Sequence, residues 1–221
     1  MNFLPKILQD IDISANTIFR GHADATWKLI PSIGRHYSGD WDKVINLELD
    51  ALANFKKRTV PYLKHDPKSD IEWLSLMQHH GCPTRLIDFT TNPLIALFFA
   101  SDPKIKNDGS LIIAKYKNVI DSNARNNIFE IDKNAVFHPP HITERIIGQS
   151  GCFVLCKTPN RELSANHLKR ITILNESKIK LRSELRELDI KSSTLFPGID
   201  GICEDLRDTL VEELIIEDVF T

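Results

Sequence analysis

Apolar positions recur at helical spacing through 42-DKVINLELDALANFKKRTVPYL-63, and the run stops near Pro61, whose ring cannot continue a helix. A second helix is predicted over 70-DIEWLSLMQHHG-81, with Asp70 as N-cap, Ile71, Leu74 and Met77 or Gln78 on one face, and Gly81 as its stop. Between helices the period changes to two. Thr17 to Arg20 reads as a short strand ending at a glycine, and Arg85 to Phe89 as another. Asn92 and Pro93 then occupy the N-cap and first helical positions of a helix running to Ala100. Strand composition returns in Ser110 to Lys117, Cys152 to Lys157 and Leu168 to Leu174. Two late helices follow: 177-SKIKLRSELREL-188, capped by Ser177, and one after Gly201 with Leu206, Leu210 and Leu214 on one face. Strands mixed with helices, without strict alternation, indicate an α+β fold with a mostly antiparallel core and flanking helices. No repeat, low-complexity tract or Gly/Pro/Ser-rich linker divides the 221 residues, so a single domain over 1–221 is expected.

Composition changes this picture little. With 42% hydrophobic and 26% charged residues and a formal net charge of −2, the chain has enough apolar material for one core and no overall electrostatic pull toward nucleic acid or acidic membranes. No apolar run reaches the roughly 18 residues that span a bilayer, and the first residues do not have the form of a secretory signal, so a cytoplasmic protein is expected. Cys82, Cys152, Cys156 and Cys203 match no common zinc spacing, and alternation around Cys152 and Cys156 reads as a half-buried strand carrying free thiols.

The candidate chemistry is concentrated in 79-HHGCPTRLIDFTTNPLIALFFA-100. In 94–100 the apolar side chains surround the helix, so it is expected to be buried, and its first-turn N–H groups need partners. Thr90, Thr91 and Asn92 stand at that end and either cap the helix or present donors to an anionic ligand. Arg85 and Asp88 carry the same alternative, a structural ion pair or a binding pair. His79 and His80 suit the negative end of the preceding helix. As metal ligands they diverge by about 100 degrees, and the diproline spaces His138 and His141 poorly; no metal is expected. Cys82, at a helix end before Pro83, is a candidate thiolate with no partner visible from spacing.

Four motifs in order carry a resemblance: 19-FRGHADATWKLIPSIGR-35, 78-QHHGCPTRLIDFTTNPLIALFFA-100, 145-RIIGQSGCF-153 and 194-TLFPGIDGICEDL-206. Over about residues 17–207 the chain resembles the FRG domain family, named for Phe19-Arg20-Gly21. Motif order is further similar to that of Arg-Ser-Glu type ADP-ribosyltransferases. That similarity implies an ADP-ribosyltransferase-like fold, with Arg20 in the first place and Asp88-Phe89-Thr90-Thr91 in the second. For the third, Gln149 lies nearest the expected glutamate and Glu144 is the nearby acid.

The resemblance implies an ADP-ribosyltransferase or NAD glycohydrolase, in the setting of a bacterial toxin or anti-phage defence effector. NAD is the implied substrate, the acceptor is a protein or nucleic acid, and no membrane is involved. Arg20, Thr90, Glu144 and Gln149 are the implied catalytic residues; Arg20, His80, Arg85, Asp88, Thr90, Thr91 and Arg145 are the implied nucleotide contacts. Cleaving the nicotinamide bond passes through an oxocarbenium-like ribose, so a guanidinium on phosphate, a hydroxyl on ribose and a carboxylate near the developing charge form a coherent set. The alternative is a non-catalytic module that binds a nucleotide or nucleic acid through Arg20, Arg85 and Arg145.

Overall fold

The computed structural model describes residues 3–35, 41–63, 66–121, 127–140, 143–163 and 168–220, the last ten as backbone. In chain order its elements are α1 (Phe3–Gln9), β1 (Thr17–His22), α2 (Ser32–Arg35), α3 (Trp41–Thr59), α4 (Asp70–His79), β2 (Leu86–Thr90), α5 (Pro93–Ala100), β3 (Gly109–Lys115), β4 (Val119–Ile120), β5 (Ala135–Phe137), α6 (Glu144–Gly148), β6 (Gly151–Leu155), β7 (Leu168–Ile173), α7 (Lys178–Glu187), α8 (Ser192–Leu195) and α9 (Ile199–Phe220). The strands form a sheet in the order β4-β5-β6-β2-β1-β3-β7, in which the β4–β5 pair is parallel and the rest are antiparallel. The fold is α+β.

One feature of the ladder positions the site. β1 pairs with β3 from Thr17 to His22, and β2 pairs with β6 along its whole length, yet β1 and β2 meet only at Phe19 and Thr90. The sheet is therefore two ladders joined at one bridge, and their inner edges part on the far side of it.

Period-two alternation sorts the strand residues between cores. Phe19, Leu111, Ile113 and Ile173 pack under α5, α7 and α1, while Leu86, Phe137, Phe153 and Leu155 pack under α3 and α4. On the opposite face, Ile18, Ile87, Phe89, Ile112 and Val154 form a third cluster with Leu29. α5 is the central helix, with Ile95, Ala96, Leu97, Phe98 and Ala100 all buried. Its approach to β1 requires Gly21, where a Cβ would lie 2.0 Å from the Ala96 carbonyl oxygen.

Several expected boundaries shift. β2 starts at Leu86 and reaches Thr90; α3 ends at Thr59 and passes into a 3-10 turn containing Pro61. Ser69, not Asp70, is the N-cap of α4, and Asp70 lies in the first turn paired with Lys56. Gly81 is the stop as expected: at φ +84° it places its own N–H on Gln78 and that of Cys82 on Met77, a Schellman closure. Ser177 precedes α7 without a side-chain cap, because its hydroxyl donates to the Leu174 carbonyl. α9 begins two residues before Gly201, with Leu206 and Leu210 exposed; the Leu214 side chain lies outside the described residues. α1, α2, β4, β5, α6 and α8 carry no periodic signal because each spans only two to seven residues.

Two buried cations tie distant segments together. Arg85, 1% exposed, donates from Nε to Glu48 on α3 at 2.7 Å, and its backbone N–H donates to the same carboxylate at 2.8 Å. Lys178 is fully buried and donates to the carbonyls of Ala23, Asp102 and Ile105 at 2.7, 3.3 and 2.8 Å.

Candidate functional site

Where the two ladders part, a cleft of about 430 Å³ opens. Phe19 to Gly21 of β1 and Leu86 to Thr90 of β2 form its floor, together with Gly151 to Phe153 of β6. Gln78 and His79 at the end of α4, with Gly81 and Cys82 just after it, form one wall; Arg145, Ile146 and Gln149 of α6 and the turn after it form another, and Pro31, Ser32 and Arg35 close the rim. Phe99 of α5 supplies an aromatic face. Cavities of this size suit a small organic ligand.

Arg20 reaches across the gap between the strands. Its Nη1 donates to the Asp88 carbonyl at 2.5 Å and lies 3.6 Å from the Asp88 carboxylate, while Nε donates to His22 Nε2 at 3.0 Å. Burial lowers the Arg20 pKa from its ordinary value, an effect opposed by Asp88 and reinforced by Arg35. His22 is pushed down to about 3, first by burial and then by Arg20 and Arg170, so it is a neutral imidazole able to accept from Arg20. Asp88 stands at the mouth with its side chain 62% exposed, steadied by Gln78 Nε2 at 3.1 Å. Gln78 is itself held by Thr84 and by the Leu86 carbonyl. His79 is half-buried on the α4 wall, its pKa lowered by burial, then His80 and Arg145, against the pull of Asp88.

Arg20, Asp88, Thr90, Arg145 and Gln149 thus line one cleft, although residues 21–87 separate the first from the second. Arg85 does not. Arg85, the residue before β2, is buried against Glu48 with its guanidinium 4.4 Å from the Phe129 ring centroid, so it is a structural ion pair. His80, the α4 C-cap, is exposed, and His79 takes the lining position. Glu144 lies off the lining, in the exposed first turn of α6 where a carboxylate suits the helix dipole. Thr91 is exposed beside the Ser150 carbonyl and also lies off the lining.

Both functions of the Thr90 hydroxyl are taken. It donates to the Gln149 carbonyl at 2.8 Å and accepts from Asn92 N–H at 3.1 Å, while Asn92 caps α5 by accepting from Leu94 N–H at 2.9 Å. Thr90 therefore pins the turn that carries Gln149. The Gln149 amide donates to the Leu195 carbonyl at 3.2 Å. Arg145 stacks over the Phe196 ring, 4.9 Å from its centroid.

Sequence reading passed over His22, Arg35, Gln78 and His79 as site residues. Arg35 and His22 both stand inside the first motif stretch, which was the available signal; the roles of Gln78 and His22 depend on partners in other elements. Among the described residues no group of three His, Cys, Asp or Glu side chains is gathered for a metal. His138 bonds the Tyr116 hydroxyl at 3.0 Å, and His141 lies outside the described residues. Cys82 lines the cleft half-buried and Cys203 is exposed, whereas burial pushes the Cys152 and Cys156 thiols up to about 12.

Residues 15–109 match the FRG domain family. Over this segment, less than half of the chain, the protein is similar to FRG domains. The family's name-giving residues divide the work at the cleft: Phe19 is core, Arg20 is the cationic floor, and Gly21 admits α5. The stretches at 145–153 and 194–206 lie beyond the matched residues, as do most of β3 and all of β6, the ladder partners of the FRG strands β1 and β2. No curated protein and no solved structure matches the chain. No described helix is long and apolar enough to cross a membrane.

The cleft has a pronounced charge bias. Arg20, Arg35 and Arg145 line it against the single carboxylate of Asp88. Guanidinium groups bind phosphate oxygens through paired N–H donors, so the arrangement favours a polyanionic ligand with an aromatic or sugar portion to lie against Phe99.

Proposed function

We propose that the cleft binds NAD and that the chain is an ADP-ribosyltransferase or NAD glycohydrolase. The convergence of three arginines and one carboxylate at the seam of the sheet carries this reading. Arg20, with Nε and Nη1 fixed by His22 and Asp88, turns its remaining N–H groups to the pyrophosphate, and Arg35 and Arg145 bind from the rim. Asp88 is the carboxylate available to offset positive charge on the ribose as its bond to nicotinamide breaks. The electron pair of that bond leaves with nicotinamide, and water or an acceptor nucleophile then bonds to the ribose carbon and loses a proton. A well-placed electrostatic contact of this kind lowers the barrier by about 3 kcal/mol. The ADP-ribosyltransferase-like fold belongs to the same proposal and is supported by motif order and by the cleft between two ladders.

A second reading has its own support. The Thr90 hydroxyl is committed to the protein, Glu144 is off the lining, and Gln149 brings an uncharged amide where a glutamate is expected. Those observations favour a nucleotide-binding module without turnover. Incubating the chain with NAD separates the two. Release of nicotinamide that disappears in Asp88→Asn supports the enzyme; saturable binding of ADP-ribose without release supports the module.

A further inference from the structure

α9 is built inside out. Glu204, Asp205 and Asp208 turn toward the body of the protein, where they pair with Lys104, Arg186 and Arg182, and Asp205 also accepts from Ser193. On the same side Gly201 lies against the backbone of Ser192 and Phe196. The opposite side carries Ile199, Ile202, Leu206 and Leu210 at 80, 52, 60 and 59% exposure. Spacings of three, four and four residues place them in one stripe along the helix. A surface helix of a solitary globule has the reverse polarity, and four large apolar side chains within three turns make a contiguous patch of the kind that marks an interaction surface.

Charge indicates the occupant. Between Ile199 and Phe220 the sequence holds eight acidic residues and one arginine; with Glu204, Asp205 and Asp208 committed to the body of the protein, five acidic residues remain against that arginine, a net −4. Two copies of α9 laid side by side would juxtapose these acidic segments, which opposes self-pairing. An amphipathic helix with an apolar face and basic flanks satisfies the stripe and the charge together. We propose that the exposed face of α9 docks a basic amphipathic helix of a partner protein. The stripe lies off the cleft lining, so docking leaves the cleft open.

The test uses the full chain and two synthetic 18-residue helical peptides, both with leucine along one face, one with lysine and one with glutamate on the rest. Calorimetric titration is expected to give saturable binding of the lysine peptide, weakened by added salt, and at least about tenfold weaker binding of the glutamate peptide. The double variant Ile202→Ser, Leu206→Ser keeps every charge and removes exposed side chains, so it is expected to melt with the wild type and lose the lysine peptide. Equal binding of both peptides, or unchanged binding by the folded double variant, overturns the proposal. A dimer in sedimentation that the double variant dissociates assigns the face to a second copy and overturns it too. Adsorption to phosphatidylcholine vesicles, abolished by the same variant and without peptide binding, assigns the face to lipid and has the same effect.

Discussion

Arg20 and His22 point to one face of β1, two residues apart, and their hydrogen bond holds only while His22 is neutral. Its folded imidazole stays unprotonated down to about 3, whereas an unfolded one takes a proton near its ordinary 6.5. Between those values the unfolded chain binds the extra proton. The contribution to stability is complete above the unfolded value and falls by about 1.4 kcal/mol for each pH unit below it. Urea midpoints measured from about pH 7.5 to about pH 5 are expected to drop, and His22→Gln, which keeps an acceptor but not the titration, is expected to flatten that slope. Arg20→Lys is expected to leave the melting temperature near that of the wild type while weakening ADP-ribose binding by roughly tenfold or more, since an ammonium lacks the planar fork. A variant with lost stability and intact binding would make Arg20 a structural residue. Arg20 and Asp88 were legible as site residues because charged groups stood inside apolar motifs. Arg85 looked the same in sequence, and its partner Glu48, thirty-seven residues earlier, is a contact that no local pattern encodes.

Among the elements, α5 was the most readable: Asn92 and Pro93 mark its start, and its all-round apolar surface announces burial. Phe98 is 4% exposed, and the Arg182 guanidinium lies 3.5 Å from its ring centroid. Phe98→Ala is expected to cost about 3 to 5 kcal/mol, read as a reduced urea midpoint at unchanged slope. α4 and the long strands were legible from period alone. α6 was not, since five residues make little more than one turn, and Thr143, which caps it by accepting from Ile146 N–H, is a cue only once the helix is known. That gap mattered for the site, because α6 decides that Arg145 faces the cleft and Glu144 faces solvent.

At the scale of the molecule, the FRG segment and the sheet have different limits. β1 and β2 end up side by side with a single bridge, while their long ladders are made with β3 and β6, mostly or wholly outside residues 15–109. A fragment spanning 1–109 is expected to lack a cooperative thermal transition by circular dichroism, whereas the full chain shows one. Strand order of this kind was not readable from sequence, because β4 and β5 are too short to announce themselves and long-range pairing leaves no local trace. Lys178 has a consequence for chemical reactivity. Its ammonium has three carbonyl acceptors and no surface exposure, so an amine-directed reagent meets it only in molecules whose α7 has lifted away from the loops at Ala23 and Ile105. Where reaction with the reagent outpaces reclosing, surface lysines are modified first and Lys178 follows at the rate of opening, which makes this one side chain a built-in clock for the lifting of α7.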